Sequence, residues 1–275
     1  MTKAYNFEYD GLQLSDFGFM LCKFDDGGVD TVLNGSEISF NTVPTMRGMK
    51  HELASSSYEN CLTATFQICK NYCDYSNDEE ISVEDMRDIM RWLNRKEFHK
   101  FKLIDHDGEY SGMFFEASFN VSRIEINGRL YGFELEMFTN RPFGLREPIT
   151  INIDTIGIDE ITGLYDKKSV FSKSDEEGYI YPDVLEITIH KDGDFEMRNG
   201  VENRVMKIAN CKKDEVITVN YPMITSSLPS HKILNDFNWV FFRIATTFKN
   251  RLNEITTSLP CSIKIVYTPI VKVGI

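Results

Sequence analysis

Long apolar runs are missing from this chain: none of its 275 residues lie in a stretch approaching the roughly 20 consecutive apolar residues that span a bilayer. Membrane insertion is therefore not expected. Residues 1–10 lack the apolar centre of a secretion signal, so synthesis and folding in a cytoplasm are expected. Basic excess is missing too. Against 30 Lys and Arg stand 42 Asp and Glu, a net charge of −12. A nucleic-acid footprint needs the opposite balance to neutralise phosphates, so sequence-specific nucleic-acid binding is not expected. An acidic surface does suit a part that DNA slides past without sticking, because like charges repel. Support of solubility is the simpler reading of the same charge.

Signatures of chemistry are scarce. The histidines (His51, His99, His106, His190 and His231) never take H-E-x-x-H spacing, and neither a G-x-S-x-G elbow nor a glycine-rich phosphate loop occurs. Cys61, Cys69 and Cys73 lie near His51 in the chain, but no C-x-x-C pair is present, and structural zinc sites show tighter pairing. With Cys22, Cys211 and Cys261 they read as reduced, partly buried thiols. Asp105, Asp107 and Glu109 around Gly108 resemble a calcium loop only superficially, since that pattern fixes a glycine at its sixth position and a glutamate at its twelfth. Asp192 and Asp194 read as turn formers. His99 and His190 fall in strand-like runs, as ordinary surface or edge residues. Paired carboxylates could serve glycoside hydrolysis, but their separation cannot be read from a sequence. No catalytic, cofactor-binding or metal-binding residue is expected, and no enzyme.

What is present is core material and hairpin chemistry. The chain is 42% hydrophobic, with 20 Phe and 12 Tyr spread along it, enough for a proper core. Asn127-Gly128 sits between alternating segments at 122–126 and 129–138, and Asn-Gly is the preferred pair of a two-residue type I′ turn. Asp107-Gly108 separates 98–104 from 110–115 in the same way, and Asp192-Gly193-Asp194 separates 185–189 from 195–197. A mainly β, antiparallel protein follows.

One helix interrupts the strands. Ser82 is a good N-cap, and Glu84 and Asp85 place acid in the first turn, where the helix dipole favours it. Val83, Met86, Met90 and Leu93 recur at helical spacing as an apolar stripe reaching about Asn94, with Trp92 one step off it. A second short helix is read at residues 230–234. Two prolines and a glycine within 140–148 break the ladder and place a domain boundary there. Residues 154–178 read as a polar surface loop, and Trp239, in an apolar run, as core.

The order of segments carries a resemblance. Phe7-Glu8-Tyr9-Asp10-Gly11, followed by Ser15-Asp16-Phe17-Gly18-Phe19, resembles the start of distal tail proteins from phages of Gram-positive hosts. Val43-Pro44-Thr45-Met46-Arg47-Gly48, leading to Tyr58 and a strand at 62–68, is similar to the family's next segment. Thr139-Asn140-Arg141-Pro142-Phe143-Gly144 resembles its interdomain link, and residues 253–256 and 261–269 its closing strands. The likeness spans nearly the whole chain through weak, spaced features.

The resemblance implies a ring-forming N-terminal domain over residues 1–145, β-barrel-like with one α-helix, and a galectin-like antiparallel β-sandwich over 146–275. It implies a structural baseplate or tail-tip hub of a long non-contractile-tailed (siphophage-like) phage or prophage, without cofactor. Such a hub would be a homohexameric ring, assembled in the host cytoplasm and carried in the virion. It would join the tail tube protein to tail-associated or tape-measure proteins and to a receptor-binding protein. Within it, the polar segment 40–58 reads as an extended arm reaching a neighbouring subunit through Val43, Pro44, Met46, Met49 and Tyr58, with a plain surface loop as the alternative. Asp25, Asp26, Asp78, Glu79 and Glu80 are candidates to line an acidic channel. A carbohydrate-binding module for host-surface adsorption is the second function to weigh, and a glycan hydrolase the third.

Overall fold

The computed structural model describes residues 4–24, 36–71, 81–106, 108, 110–159 and 161–272. The chain divides into two compact units, one running to Leu145 and taking in Lys272, the other Arg146–Val271. No helix among the described residues is long and apolar enough to cross a membrane.

The first unit opens with β1 (Ala4–Tyr9), β2 (Leu12–Gln13) and β3 (Phe19–Cys22), then a separate ribbon of β4 (Ile38–Thr45) and β5 (Lys50–Tyr58). There follow β6 (Thr63–Lys70), α1 (Val83–Leu93), β7 (His99–Asp105), β8 (Met113–Ile126) and β9 (Arg129–Thr139). The ribbon apart, these strands pair antiparallel in the order β2-β1-β7-β8-β9-β6-β3. The sheet curls until β1 and β3 touch. Alternation fills the inside: Phe115, Ala117 and Phe119 of β8 face inward beside Phe133, Leu135 and Met137 of β9, all nearly inaccessible. Their rings join Phe7, Tyr9 and Phe101, with Phe101 5.3 Å from Phe119 and Tyr9 5.1 Å from Phe119.

Asn127 and Gly128 both take positive φ, 52° and 80°, so the β8–β9 turn is of the type that Asn-Gly favours, with Ile126 opposite Arg129. The β7–β8 connection is longer than a two-residue turn. His99 pairs with Ala117 and Phe101 with Phe115, and the Asp105 carboxylate accepts the Gly108 and Tyr110 N–H groups at 3.1 and 3.2 Å. Asp105 thus spends its acceptors on its own loop, which accounts for it without calcium.

Helix α1 starts as the sequence says. The Ser82 hydroxyl accepts the Asp85 N–H at 3.1 Å, and the Asp85 carboxylate accepts the Ser82 N–H at 3.1 Å, closing a capping box. Its buried face differs from the expected stripe. Ile89, Trp92 and Leu93 are buried, whereas Val83 is 61% exposed. Trp92 is central rather than peripheral: its Nε1–H donates to the Tyr9 carbonyl at 2.9 Å, and its ring stacks on Phe17 at 4.4 Å and Phe7 at 5.6 Å. The three rings it meets come from β1 and the turn before β3, so a helical stripe read in isolation misplaces the face by one step.

After the short β10 (Gly144–Arg146), the second unit runs β11 (Ile149–Thr155), β12 (Lys167–Phe171), β13 (Tyr179–Ile180), β14 (Val184–Ile189) and β15 (Gly193–Asn199). It continues with β16 (Val205–Cys211), β17 (Val216–Asn220), β18 (Met223–Ser226), α2 (Ile233–Asp236), β19 (Ile244–Ala245), β20 (Leu252–Thr257), β21 (Cys261–Tyr267) and β22 (Ile270–Val271). Two antiparallel sheets, β11-β21-β14-β17-β18 and β12-β20-β15-β16, enclose one core, so this unit is a β-sandwich. Ile187 and Ile263 from the five-stranded sheet and Phe195, Met206 and Ile255 from the four-stranded one are essentially inaccessible.

Three expectations change here. Asp192-Gly193-Asp194 does not close a hairpin, because β14 and β15 belong to opposite sheets. The turn arches over the core instead. The Asp192 and Asp194 carboxylates accept the Lys213 and Asn210 N–H groups at 2.7 and 3.0 Å, tying the arch to the next turn. The segment expected as a polar loop contains β12, whose Val170 is buried while Phe171 is 58% exposed. Trp239 is not core: it is 57% exposed at a positive φ of 58°. Its neighbours Phe237 and Phe241 take the buried places, which the left-handed turn at Trp239 allows.

Candidate functional site

The β4–β5 ribbon is a two-stranded sheet of its own. Ile38 lies opposite Tyr58, Phe40 opposite Ser56, Thr42 opposite Leu53 and Pro44 opposite His51, with a bulge between Asn41 and Thr42. Cross-strand partners share a face. One face therefore carries Ile38, Phe40, Thr42, Pro44, His51, Leu53, Ser56 and Tyr58, the other Ser39, Asn41, Val43, Thr45, Lys50, Glu52, Ser55 and Ser57. The ribbon is amphipathic, yet its apolar face is open: Phe40 is 62% and Leu53 58% exposed. At the tip Met46 and Met49 are 74% and 91% exposed, and Met46, Arg47 and Gly48 all have positive φ. Tyr58 anchors the base, its ring 6.2 Å from Phe143 and nearly perpendicular to it. Pro44 is tolerated because each strand of a two-stranded ribbon has a free edge.

Of the five expected arm residues, Pro44, Met46, Met49 and Tyr58 lie along or beyond the apolar face and Val43 on the polar one. Ile38, Phe40 and Leu53 belong to the same surface and were not expected. Asp25, Asp26, Asp78, Glu79, Glu80 and Cys73 lie outside the described residues. Of the other thiols, Cys61 is exposed and Cys69 buried, and all five described cysteines are free. Cys22 and Cys69 share a hydrogen bond, which with burial pushes the Cys22 thiol up.

A second feature sits in the sandwich and went unread in the sequence. The turn between β16 and β17 folds Glu215 inward until it is fully buried. Its carboxylate accepts the Ser226 hydroxyl at 2.5 Å, the Lys212 N–H at 2.8 Å, and the His231 imidazole, whose Nδ1 lies 2.5 Å away. Burial pushes the carboxyl up, but these hydrogen bonds outweigh it and hold Glu215 below its ordinary 4.5. The imidazole thus lies between two carboxylates, with Glu215 on Nδ1 and Asp236 on the side of Nε2. Nε2 then faces outward; the His231 side chain is only 4% exposed, and Nε2 lies 3.3 Å from Asp236 Oδ2, out of line for a hydrogen bond. A pocket of about 250 Å³ opens there, lined by Asn210, Lys212, Leu228, Ser230, His231, Lys232 and Asp236. Among the described residues no three His, Cys, Asp or Glu side chains converge as metal ligands. The sequence carries only two neighbouring acids in a turn, Asp214-Glu215, and a histidine sixteen residues after Glu215, a pairing that only the sandwich brings together.

No curated protein matches the chain in sequence. Among solved structures, it is similar to the crystal structure of the SPP1 Dit protein, described as a paradigm of the hub adsorption apparatus in phages infecting Gram-positive hosts. The TM-score is 0.60 over 97% of this chain and 99% of that one, at 11% identity, a likeness of fold. Residues 2–141 match the model of a phage tail protein N-terminal domain, and residues 162–267 that of a phage tail C-terminal domain. With both of its units accounted for in this way, the chain belongs to the family of phage tail proteins that these two domains define.

Proposed function

We propose that this phage tail protein is the structural hub of a tail tip, a homohexameric ring assembled in the host cytoplasm and carrying no enzymatic activity. The observation that carries the reading is the exposed amphipathic ribbon, set on a fold like that of SPP1 Dit over 97% of this chain and 99% of that one. A ring closes by repeating one heterologous contact, so each subunit must present a projecting element and a surface that receives it. The β4–β5 ribbon is the projecting element: its apolar face meets the next subunit and Met46 and Met49 extend the contact at the tip. Methionine suits this place because its flexible thioether adapts to an irregular surface.

One axial face of the ring would then take the tail tube and the other the tail-associated and receptor-binding proteins. The charge of −12 per chain, multiplied by ring closure, keeps the passage from holding DNA by phosphate contacts. Asp25, Asp26, Asp78, Glu79 and Glu80 remain the proposed lining. Deletion of residues 46–55 tests the arm. Native mass spectrometry should show the full chain as a ring and the deleted chain as a folded monomer with unchanged circular dichroism. A deleted chain that still assembles refutes the role of the ribbon, and a full chain that stays monomeric at all concentrations refutes the ring.

A further inference from the structure

We propose that Met46 and Met49 form an oxidation site that controls entry of a subunit into the ring, sulfoxidation of the ribbon tip blocking assembly. The inference rests on the ribbon contact proposed above and adds a covalent control to it. Among the described methionines, Met113, Met137, Met197 and Met206 are buried and Met86 and Met90 half-buried. Met46 and Met49 are 74% and 91% exposed, ahead of Met223 at 66% and Met20 at 36%. An oxidant must touch the sulfur, so exposure selects the thioether that reacts. The tip is also a closed turn. The Met49 N–H donates to the Met46 carbonyl at 3.3 Å, and the Thr45 hydroxyl to the Lys50 carbonyl at 3.1 Å. Both side chains are thus displayed to solvent by a turn that its own hydrogen bonds hold.

The oxidant is a peroxide. A sulfur lone pair attacks one peroxide oxygen, the S–O bond forms as the O–O bond breaks, and the departing oxygen leaves as water after proton transfer. The sulfur loses two electrons and the peroxide gains them. The product replaces a flexible apolar side chain with a polar, chiral one. Its oxygen is an acceptor for which an apolar surface offers no donor, so covering it leaves an unpaired polar group. Ring geometry amplifies the effect, because a closed ring needs every one of its repeated contacts. One oxidised ribbon leaves a ring open. Within a closed ring the same sulfurs are covered, so the control acts on the free subunit and spares the finished assembly.

The full chain is treated with hydrogen peroxide at concentrations below and above assembly. Peptide mass spectrometry locates the sulfoxides, and native mass spectrometry reads the ring. Free subunits should gain oxygen at Met46 and Met49 ahead of the other methionines, and their half-assembly concentration should rise at least tenfold. Preassembled rings should keep both residues reduced. Methionine sulfoxide reductases should restore assembly, whereas a thiol reductant alone, which reverses disulfide or sulfenic acid formation at the exposed Cys61, should not. A chain with Met46→Leu and Met49→Leu should assemble with or without peroxide, and one with Met46→Gln and Met49→Gln should assemble poorly without it. The inference is overturned, with the ring reading intact, if oxidised subunits assemble as readily as untreated ones or if the leucine variant loses assembly equally on treatment. It is equally overturned if Met46 and Met49 of free subunits stay reduced while Met223 is oxidised. An untreated chain that stays monomeric overturns the ring reading itself and the control with it.

Discussion

Trp92 is the side chain whose removal should cost the first unit most, and its two contributions can be measured apart. The indole donates one buried hydrogen bond to the Tyr9 carbonyl and stacks on Phe17 and Phe7, with Tyr9 edge-on at 6.1 Å. Trp92→Phe keeps most of the stacking and loses the bond; a neutral bond contributes about 1 kcal/mol, and a stranded buried acceptor costs about 1–3 kcal/mol, so about 2 kcal/mol is expected. Trp92→Ala also empties the space between three rings and should cost about 3–5 kcal/mol. Urea unfolding followed by far-ultraviolet circular dichroism reads these losses. The only other tryptophan, Trp239, lies in the second unit, so in both variants the remaining tryptophan fluorescence reports that unit alone. The stability loss should appear in the dichroism and leave the fluorescence transition in place. A Trp92→Phe variant within 0.5 kcal/mol of the parent, roughly the range of neutral surface substitutions, would refute the hydrogen-bond assignment.

Three further outcomes follow from the same kind of reasoning. Ser82→Ala breaks the capping box and should cost about 1 kcal/mol, with faster amide exchange in the first turn of α1; unchanged exchange there counts against it. Tyr9→Phe removes a buried hydroxyl that has no hydrogen-bond partner among the described residues, so stability should hold or rise by about 1 kcal/mol; a loss above that would reveal an unseen partner. Glu215 has its folded value depressed below 4.5, so its contribution to stability is present above that pH and is lost as pH falls from there through the folded value. Glu215→Ala should cost about 3–5 kcal/mol at neutral pH, because it strands His231 and Ser226, and should flatten the acid limb of the stability profile; an unchanged limb would show that other carboxylates govern it.

The fold class was legible because local chemistry and tertiary structure agree. Asn127-Gly128 can hardly be anything but a tight turn, and Ser82 with Asp85 caps a helix whatever that helix packs against. Elements that depend on distant partners were harder to read. Asp192-Gly193-Asp194 carries hairpin residues, but whether a turn joins neighbours or arches between sheets depends on which strands flank it, here β17 and β21 for one side and β16 and β20 for the other. Trp239 sits among apolar residues, and only the positive φ at that position turns it outward. The Glu215–His231 pair left no pattern because its members come from separate turns. In β9, Gly132 looks like an idle interruption of a strand; the structure shows that a Cβ there would come within 2.5 Å of both the Ile68 carbonyl oxygen and the Phe24 ring.

The ribbon was hardest to read for a physical reason that bears on its role. Strand periodicity in a sequence records one buried face, and within the subunit the ribbon buries neither. Serines fill positions 55–57, the bulge shifts the alternation midway, and the apolar residues look scattered until the strands are paired. A two-stranded ribbon in water is marginally stable at best. Covering the exposed halves of Ile38, Phe40 and Leu53 would contribute roughly 2–4 kcal/mol, taking about 1.5–3 kcal/mol for each side chain fully buried. That sum is comparable to what an isolated ribbon lacks. On the proposed ring the ribbon is therefore ordered by the surface that receives it, and the same contact that closes the ring completes the fold of each subunit. A sequence shaped by that contact shows its pattern only when the partner is counted as part of the core.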